Sequence, residues 1–153
     1  MELNMLSNTE RGKAFQLLCR DALKRALSRD FDLEVPLQIG GGKSHSFDLA
    51  IRERDVVVEC KVFKFTAGGN NPSAKITTLR EAAMYVRSIP GNVERILIVK
   101  HDPHPKREET LGRYFVRPNA SFLEQVTVLE MPESGGELVR IHGSFGAAKA
   151  IDA

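Results

Sequence analysis

Between Ser44 and Val62 the chain reads SHSFDLAIRERDVVVECKV, two apolar-alternating runs joined by the charged tetrad Arg52-Glu53-Arg54-Asp55. Successive side chains of a strand point to opposite faces. Phe47, Leu49 and Ile51 are therefore expected on one face of the first run, with Asp48, Ala50 and Arg52 on the other. In the second run Val56, Val58, Cys60 and Val62 share one face, and Val57, Glu59 and Lys61 share the opposite one. A hairpin centred between Glu53 and Arg54 pairs Arg52 with Asp55, Ile51 with Val56 and Asp48 with Glu59. Directly opposed residues of an antiparallel pair project to the same face. This register gathers the apolar sets on one side and brings Asp48, Glu59 and Lys61 together on the other.

The flanking segments alternate between helical and strand periodicity. Phe15, Leu18, Cys19, Ala22, Leu23 and Ala26 recur at helical spacing and predict a helix from near Glu10, capped by Asn8 or Thr9. Its outer faces carry Arg11, Lys13, Arg20, Lys24, Arg25 and Arg29. A strand is expected over 31–39, where Pro36 indicates an edge or bulged position. Gly40-Gly41-Gly42 then reads as a plain turn. Residues 64–75, KFTAGGNNPSAK, form a Gly- and Asn-rich loop expected to be mobile without ligand. Ser73 is expected to cap a second helix buried through Ile76, Leu79, Ala82, Ala83 and Val86, which Pro90-Gly91 ends. Residues 93–100 read as a strand with a continuous apolar centre. Strand, helix, strand in that order implies a crossover and a parallel pairing. A short helix over 107–116 is expected to turn Leu111, Tyr114 and Phe115 inward. Residues 125–131 and 137–142 read as closing strands across the Glu133-Ser134-Gly135-Gly136 turn.

Length and composition fit one domain over 1–153, with a core at about 10–100, additions over 101–142 and a weakly structured tail over 143–153. Of the 153 residues 42% are hydrophobic, enough for one core, and the formal charge is only +2. So small a charge argues for nucleic-acid binding only through local clustering. Two cysteines, Cys19 and Cys60, make no disulfide framework. The N-terminal stretch lacks a signal-like apolar segment, and no run approaches the roughly 20 apolar residues of a membrane span. The expectation is a cytoplasmic protein with no membrane partner. His101, Asp102 and His104 fall in one loop, but its two prolines and the lack of a further cluster argue against a metal site there.

The chemistry centres on the hairpin. A Glu-x-Lys triplet in a strand commonly forms nothing more than a surface ion pair. Here it follows three valines, a second carboxylate lands opposite it, and a Gly/Asn loop comes next. Apposed carboxylates repel unless a proton or cation lies between them. Oxygen ligands of this kind suit Mg²⁺ or Mn²⁺, and a neighbouring lysine can offset charge that builds on a phosphoryl group.

The succession of helix, strand, "SFDLA", "VVVECK", loop, helix and "ERILIVK" resembles the PD-(D/E)XK nuclease superfamily, over about residues 10–100. The resemblance implies an α/β fold with a restriction-endonuclease-like αβββαβ core, a central mixed sheet flanked by helices. It implies Mg²⁺ as cofactor, with Mn²⁺ as substitute, held by Asp48, Glu59 and the Cys60 backbone carbonyl, and Lys61 as the catalytic lysine. In many members, archaeal Holliday-junction resolvases among them, the first helix carries a glycine followed four residues later by a glutamate that contacts the metal site. Here Gly12 is followed by Gln16, a neutral residue that can hold a water or a phosphate oxygen. The expected activity is endonucleolytic hydrolysis of DNA, with Arg11, Lys13, Arg20, Lys43, Lys64 and Lys75 against the phosphate backbone. So small a domain favours a homodimer making paired cuts, or recognition of DNA shape. A nuclease-like fold acting as a nucleic-acid or protein interaction module is the second expectation, and a solvated ion-pair network the third.

Overall fold

The first helix, α1 (Asn8–Leu27), starts where Ser7 allows it to start. Ser7 Oγ accepts the Glu10 N–H at 3.2 Å, and Glu10 Oε1 accepts the Ser7 N–H at 3.1 Å. This reciprocal capping box satisfies two backbone donors that a helix end otherwise leaves unpaired. The cap expected at Asn8 or Thr9 is thus corrected to Ser7, because only from that position does Glu10 stand three residues on. The computed structural model describes residues 6–51, 55–65, 67–70 and 72–143. The Arg52-Glu53-Arg54 part of the hairpin turn and the tail from 144 on lie outside these residues.

Among the described residues six strands follow in one mixed sheet: β1 (Asp32–Gly40), β2 (Lys43–Ala50), β3 (Val56–Lys61), β4 (Glu94–Lys100), β5 (Val126–Met131) and β6 (Val139–His142). They lie side by side in sequence order. β2 runs antiparallel to both β1 and β3, while β3, β4 and β5 run parallel, and β6 returns antiparallel to β5. Helix α2 (Ser73–Arg87) makes the crossover from β3 to β4, and α3 (Leu111–Asn119) leads into β5. The parallel pairing inferred from strand, helix, strand is therefore present. Pro36 sits in the edge strand β1, as a residue without an N–H requires.

Helices cover both faces of the sheet. On one face Phe15, Cys19, Ala22 and Leu23 of α1 pack on Leu49, Ile51, Val56, Val58, Ile96, Ile98 and Leu129. On the other, Leu79, Ala82, Ala83 and Val86 of α2 and Phe115 of α3 pack on Phe47, Ala50, Val57, Leu97, Val99 and Val128. Strands buried on both sides read as continuous apolar runs, which is why VVV and ILIV occur in β3 and β4. Each fully buried side chain of this size contributes about 1.5–3 kcal/mol relative to exposure.

One expectation is corrected here. Alternation expects Phe47 on the face of Leu49 and Ile51, yet Phe47 joins Ala50 and Val57 on the α2 face while Leu49 and Ile51 join α1. Two helical layers, rather than one, cover β3, so both of its faces must be apolar. The β1–β2 ladder is also distorted at this point. Val35 pairs with Phe47 and Leu33 with Leu49, but Glu34 between them has a φ of 52°. A non-glycine residue in that left-handed region costs on the order of 1–2 kcal/mol.

Two helix boundaries also differ from expectation. Ser73 is the first residue of α2 rather than its cap, and Pro72 takes the cap position without a side-chain hydrogen bond. α3 begins at Leu111 instead of 107, because Thr110 caps it by accepting the Arg113 N–H. Gly112 is needed on this helix: a Cβ there would lie 2.5 Å from Glu130 Oε2 and 2.9 Å from Val99 Cγ2.

The capping geometry makes a direct prediction. Ser7→Ala should lower the unfolding free energy by about 1 kcal/mol, whereas Asn8→Ala and Thr9→Ala should each change it by less than about 0.5 kcal/mol. Urea unfolding of the three variants checks it, and equal losses at all three positions would contradict the assignment.

Candidate functional site

The pairing of β2 with β3 sets the geometry of the carboxyl pair. Leu49 pairs with Val58 and Ala50 with Val57, and the Ile51 N–H donates to the Val56 carbonyl at 3.1 Å. The same register carried one residue further sets Asp48 opposite Glu59, as the sequence requires. At that step the backbone ladder gives way to a side chain. Asp48 Oδ2 accepts the Cys60 N–H at 2.8 Å, while the Asp48 carbonyl accepts Gln16 Nε2 of α1 at 3.1 Å. Asp48 is therefore held by β3 through its carboxylate and by α1 through its main chain. Gln16 Nε2 is thus engaged with backbone, and Gln16 itself is buried.

Glu59 occupies the more demanding position. Only 3% of its surface is exposed, and the Asp48 carboxyl stands close enough to act on it. Burial above all, then the hydrogen bond and the charge of Asp48, push its pKa up to about 9, against a smaller opposing pull from the Lys61 ammonium. At neutral pH Glu59 thus carries a proton and Asp48 faces a neutral partner. Lys61 is half-buried at the strand end, near enough to act electrostatically on both Glu59 and His45. The Cys60 thiol turns to the α1 side against Cys19, where burial raises its pKa. Only the backbone of Cys60 faces the carboxyl pair.

His45 is the residue that sequence reasoning missed. Its Nε2 lies 2.5 Å from Glu59 Oε1. Its ring stacks on Tyr85 of α2, with centroids 3.7 Å apart and planes 8° from parallel, and meets Phe47 edge-on at 4.7 Å. Burial, together with Lys61, holds the pKa of His45 below its ordinary value, against the smaller pull of Asp48 and Glu81. All three groups are satisfied when Glu59 donates its proton to Asp48 and neutral His45 donates from Nε2 to Glu59. Strict alternation puts His45 and Asp48 on opposite faces, so pattern alone gives no reason to group them. The distortion that carries Phe47 to the α2 face carries His45 with it.

The basic residues are less uniform than expected. Beyond Lys61, a groove of about 350 Å³ is lined by Asn8, Arg11, Val62, Phe63, Lys64 and Lys75. Three of the six predicted backbone contacts meet there. Arg11 is already engaged, however, donating to both Glu133 oxygens at 2.9 and 2.6 Å, with Lys100 at 3.1 Å from the same carboxylate. Lys75 Nζ donates to the Lys64 carbonyl. Lys13 and Lys43 are exposed, on α1 and at the start of β2, and Arg20 lies 3.9 Å from Asp21. A larger cavity of about 770 Å³, lined by Arg29, Asp55, Asn92, Arg95 and Gln125 among others, shares none of the carboxyl-pair residues.

His101, Asp102 and His104 do not converge. His101 bonds Glu130, Asp102 accepts the Phe65 N–H at 2.7 Å, and His104 bonds the Gly69 carbonyl. The last two contacts pin the Gly/Asn loop to the segment after β4, and Phe65 is buried. Among the described residues no group of three or more His, Cys, Asp or Glu is disposed to hold a metal ion. At the hairpin the acidic groups and His45 are bonded to one another instead. Their chemistry nevertheless fits a hard divalent cation: two apposed carboxyls, one neutralised by a proton that a cation would replace, beside a backbone carbonyl at Cys60. No family model matches the chain, and neither a curated protein nor a solved structure matches it.

The protonated Glu59 has a signature in stability. In the folded protein it keeps its proton up to about pH 9, whereas its ordinary pKa is 4.5. Its contribution is therefore fully present below the ordinary value and is lost as pH rises toward the folded one. Glu59→Gln, neutral throughout, should gain in Tm relative to the native protein steadily from pH 5 to pH 9 in chelator. A difference that stays constant over this range would exclude the buried, protonated carboxyl.

Proposed function

We propose that the protein is a metal-dependent endonuclease that hydrolyses phosphodiester bonds in DNA, built on a restriction-endonuclease-like core. The observation that carries this reading is the apposition of Asp48 and Glu59 across β2 and β3 at the end of a buried strand, with Lys61 beside them. The order of the first six elements, α, β, β, β, α, β, agrees with that core. Asp48, Glu59 and the Cys60 carbonyl would hold Mg²⁺, or Mn²⁺ in its place. When bound, such a cation neutralises phosphate charge and favours deprotonation of an attacking water.

The chain's own residues supply the rest. The Cys60 N–H fixes the direction of the Asp48 carboxylate, and Gln16 holds the Asp48 main chain against α1. The Lys61 ammonium orients the attacking water and balances charge that builds on the phosphoryl oxygens. The groove formed by Arg11, Lys64 and Lys75 runs on from Lys61 and suits a phosphate backbone, so binding should weaken steeply with salt. A homodimer would supply the second cut on duplex DNA.

One observation favours a second reading, a nuclease-like fold that binds nucleic acid or protein without cutting. Gln16 brings no charge to the site and is committed to the Asp48 backbone, and the overall charge is only +2. The two readings separate in a cleavage panel of linear, branched and single-stranded DNA, and of RNA, with Mg²⁺ and with Mn²⁺. The nuclease reading expects cleavage of at least one DNA form, lowered about 100-fold or more in Lys61→Ala and Asp48→Ala while both remain folded. Absence of metal-dependent cleavage of any substrate by the native protein would sink it.

A further inference from the structure

The carboxyl pair has a support that the nuclease reading does not use. His45 reaches Glu59 at 2.5 Å, and its own ring is fixed by two aromatic neighbours. Tyr85 lies flat against it, belongs to α2 and is half-buried, while Phe47 of the same strand closes the edge and is fully buried. An imidazole enclosed in this way has little rotational freedom, so the direction of its Nε2 is set by the packing of α2 on the sheet. That nitrogen decides where Glu59 Oε1 points. Glu59 has its other fixed partner in Asp48, which the Cys60 N–H anchors. Glu59 is therefore aimed from two sides, by β2 through Asp48 and by α2 through Tyr85 and His45.

We propose that His45 is the positioning residue of the site, holding Glu59 in the orientation that receives a divalent cation, with Tyr85 as the clamp that holds His45. This proposal rests on the reading of Asp48 and Glu59 as a cation site. Groups that orient a ligand from behind tune affinity without themselves reacting, and their loss typically lowers metal affinity about 10- to 100-fold. The dependence on Tyr85 is specifically on its flat ring: the phenol oxygen has no part in the stack. Helix α2 also carries Lys75, which lines the basic groove. The same helix thus frames both the carboxyl pair and the path proposed for the phosphate backbone.

The test is Mn²⁺ binding, followed by calorimetry and by the electron paramagnetic resonance of the free ion, which needs no substrate and no turnover. His45→Ala should weaken binding about 10- to 100-fold, and Tyr85→Ala should weaken it in the same direction. Tyr85→Phe, which keeps the stack, should bind as the native protein does. His45→Gln, still able to donate to Glu59, should retain more affinity than His45→Ala and serves if the alanine variant does not fold. Thermal unfolding in chelator separates lost affinity from lost structure. Native affinity in folded His45→Ala and His45→Gln would overturn the positioning role and leave the cation site standing. Equal losses in Tyr85→Phe and Tyr85→Ala would overturn the clamp. Failure of the native protein to bind Mn²⁺ at all would overturn the cation site, and the positioning role with it.

Discussion

Three consecutive valines, Val56, Val57 and Val58, are buried against helices on both faces of the sheet, and β3 lies against β2 with Val58 opposite Leu49 and Val57 opposite Ala50. A slip of one residue would exchange valine for valine but would turn Glu59 away from His45 and into the apolar α1 layer. The register that results forces Asp48 and Glu59 into contact at the point where β3 leaves the core. In water two carboxylates would separate. Here the strands cannot part without exposing the valines, so the electrostatic cost is met locally by a proton on Glu59, the Cys60 N–H on Asp48 and the imidazole of His45. The site is a by-product of packing that the packing cannot relax.

Its surroundings divide between elements that hold it and elements that give access to it. α1 reaches Asp48 through Gln16 and is itself tied to the β5–β6 turn, where Arg11 and Lys100 hold the Glu133 carboxyl below its ordinary pKa. α2 reaches Glu59 through Tyr85 and His45. The Gly/Asn loop between β3 and α2 is anchored by Phe65 on Asp102 and by His104 on Gly69. Between the starts of α1 and α2 lies the basic groove. A ligand of negative charge would meet Lys64 and Lys75 there before it reached Lys61. Arg11, in contrast, would have to leave Glu133 to take part.

Much of this was legible in the chain itself. Periodicity marked the buried faces of α1 and α2, and the SFDLA and VVVECK runs specified the β2–β3 register, because apolar residues had to match across it. The strand-helix-strand order specified the parallel pair. What escaped was whatever depended on a break in regularity. Strict alternation placed Phe47 with Leu49 and kept His45 away from Asp48, and both assignments failed at one distorted step opposite Glu34. The Ser7 cap escaped because Asn8 and Thr9 are equally good cap formers, and only the position of Glu10 decides among them. The bond between Arg11 and Glu133 joins residues 122 positions apart, a distance over which charge patterning carries no information. Arg11 therefore looked like a free cation and is not one.

The central claim is that Asp48 and Glu59 are held so close that one carboxyl cannot ionise until something else takes the place of its proton. A carbon-13 NMR titration of the Glu59 side-chain carboxyl in the metal-free protein tests it most directly. The account predicts that this carboxyl titrates near pH 9, far above an ordinary glutamate, and that saturating Mg²⁺ shifts it to the ionised form at neutral pH. A Glu59 carboxyl that titrates close to 4.5, the ordinary value, with or without Mg²⁺, would contradict it.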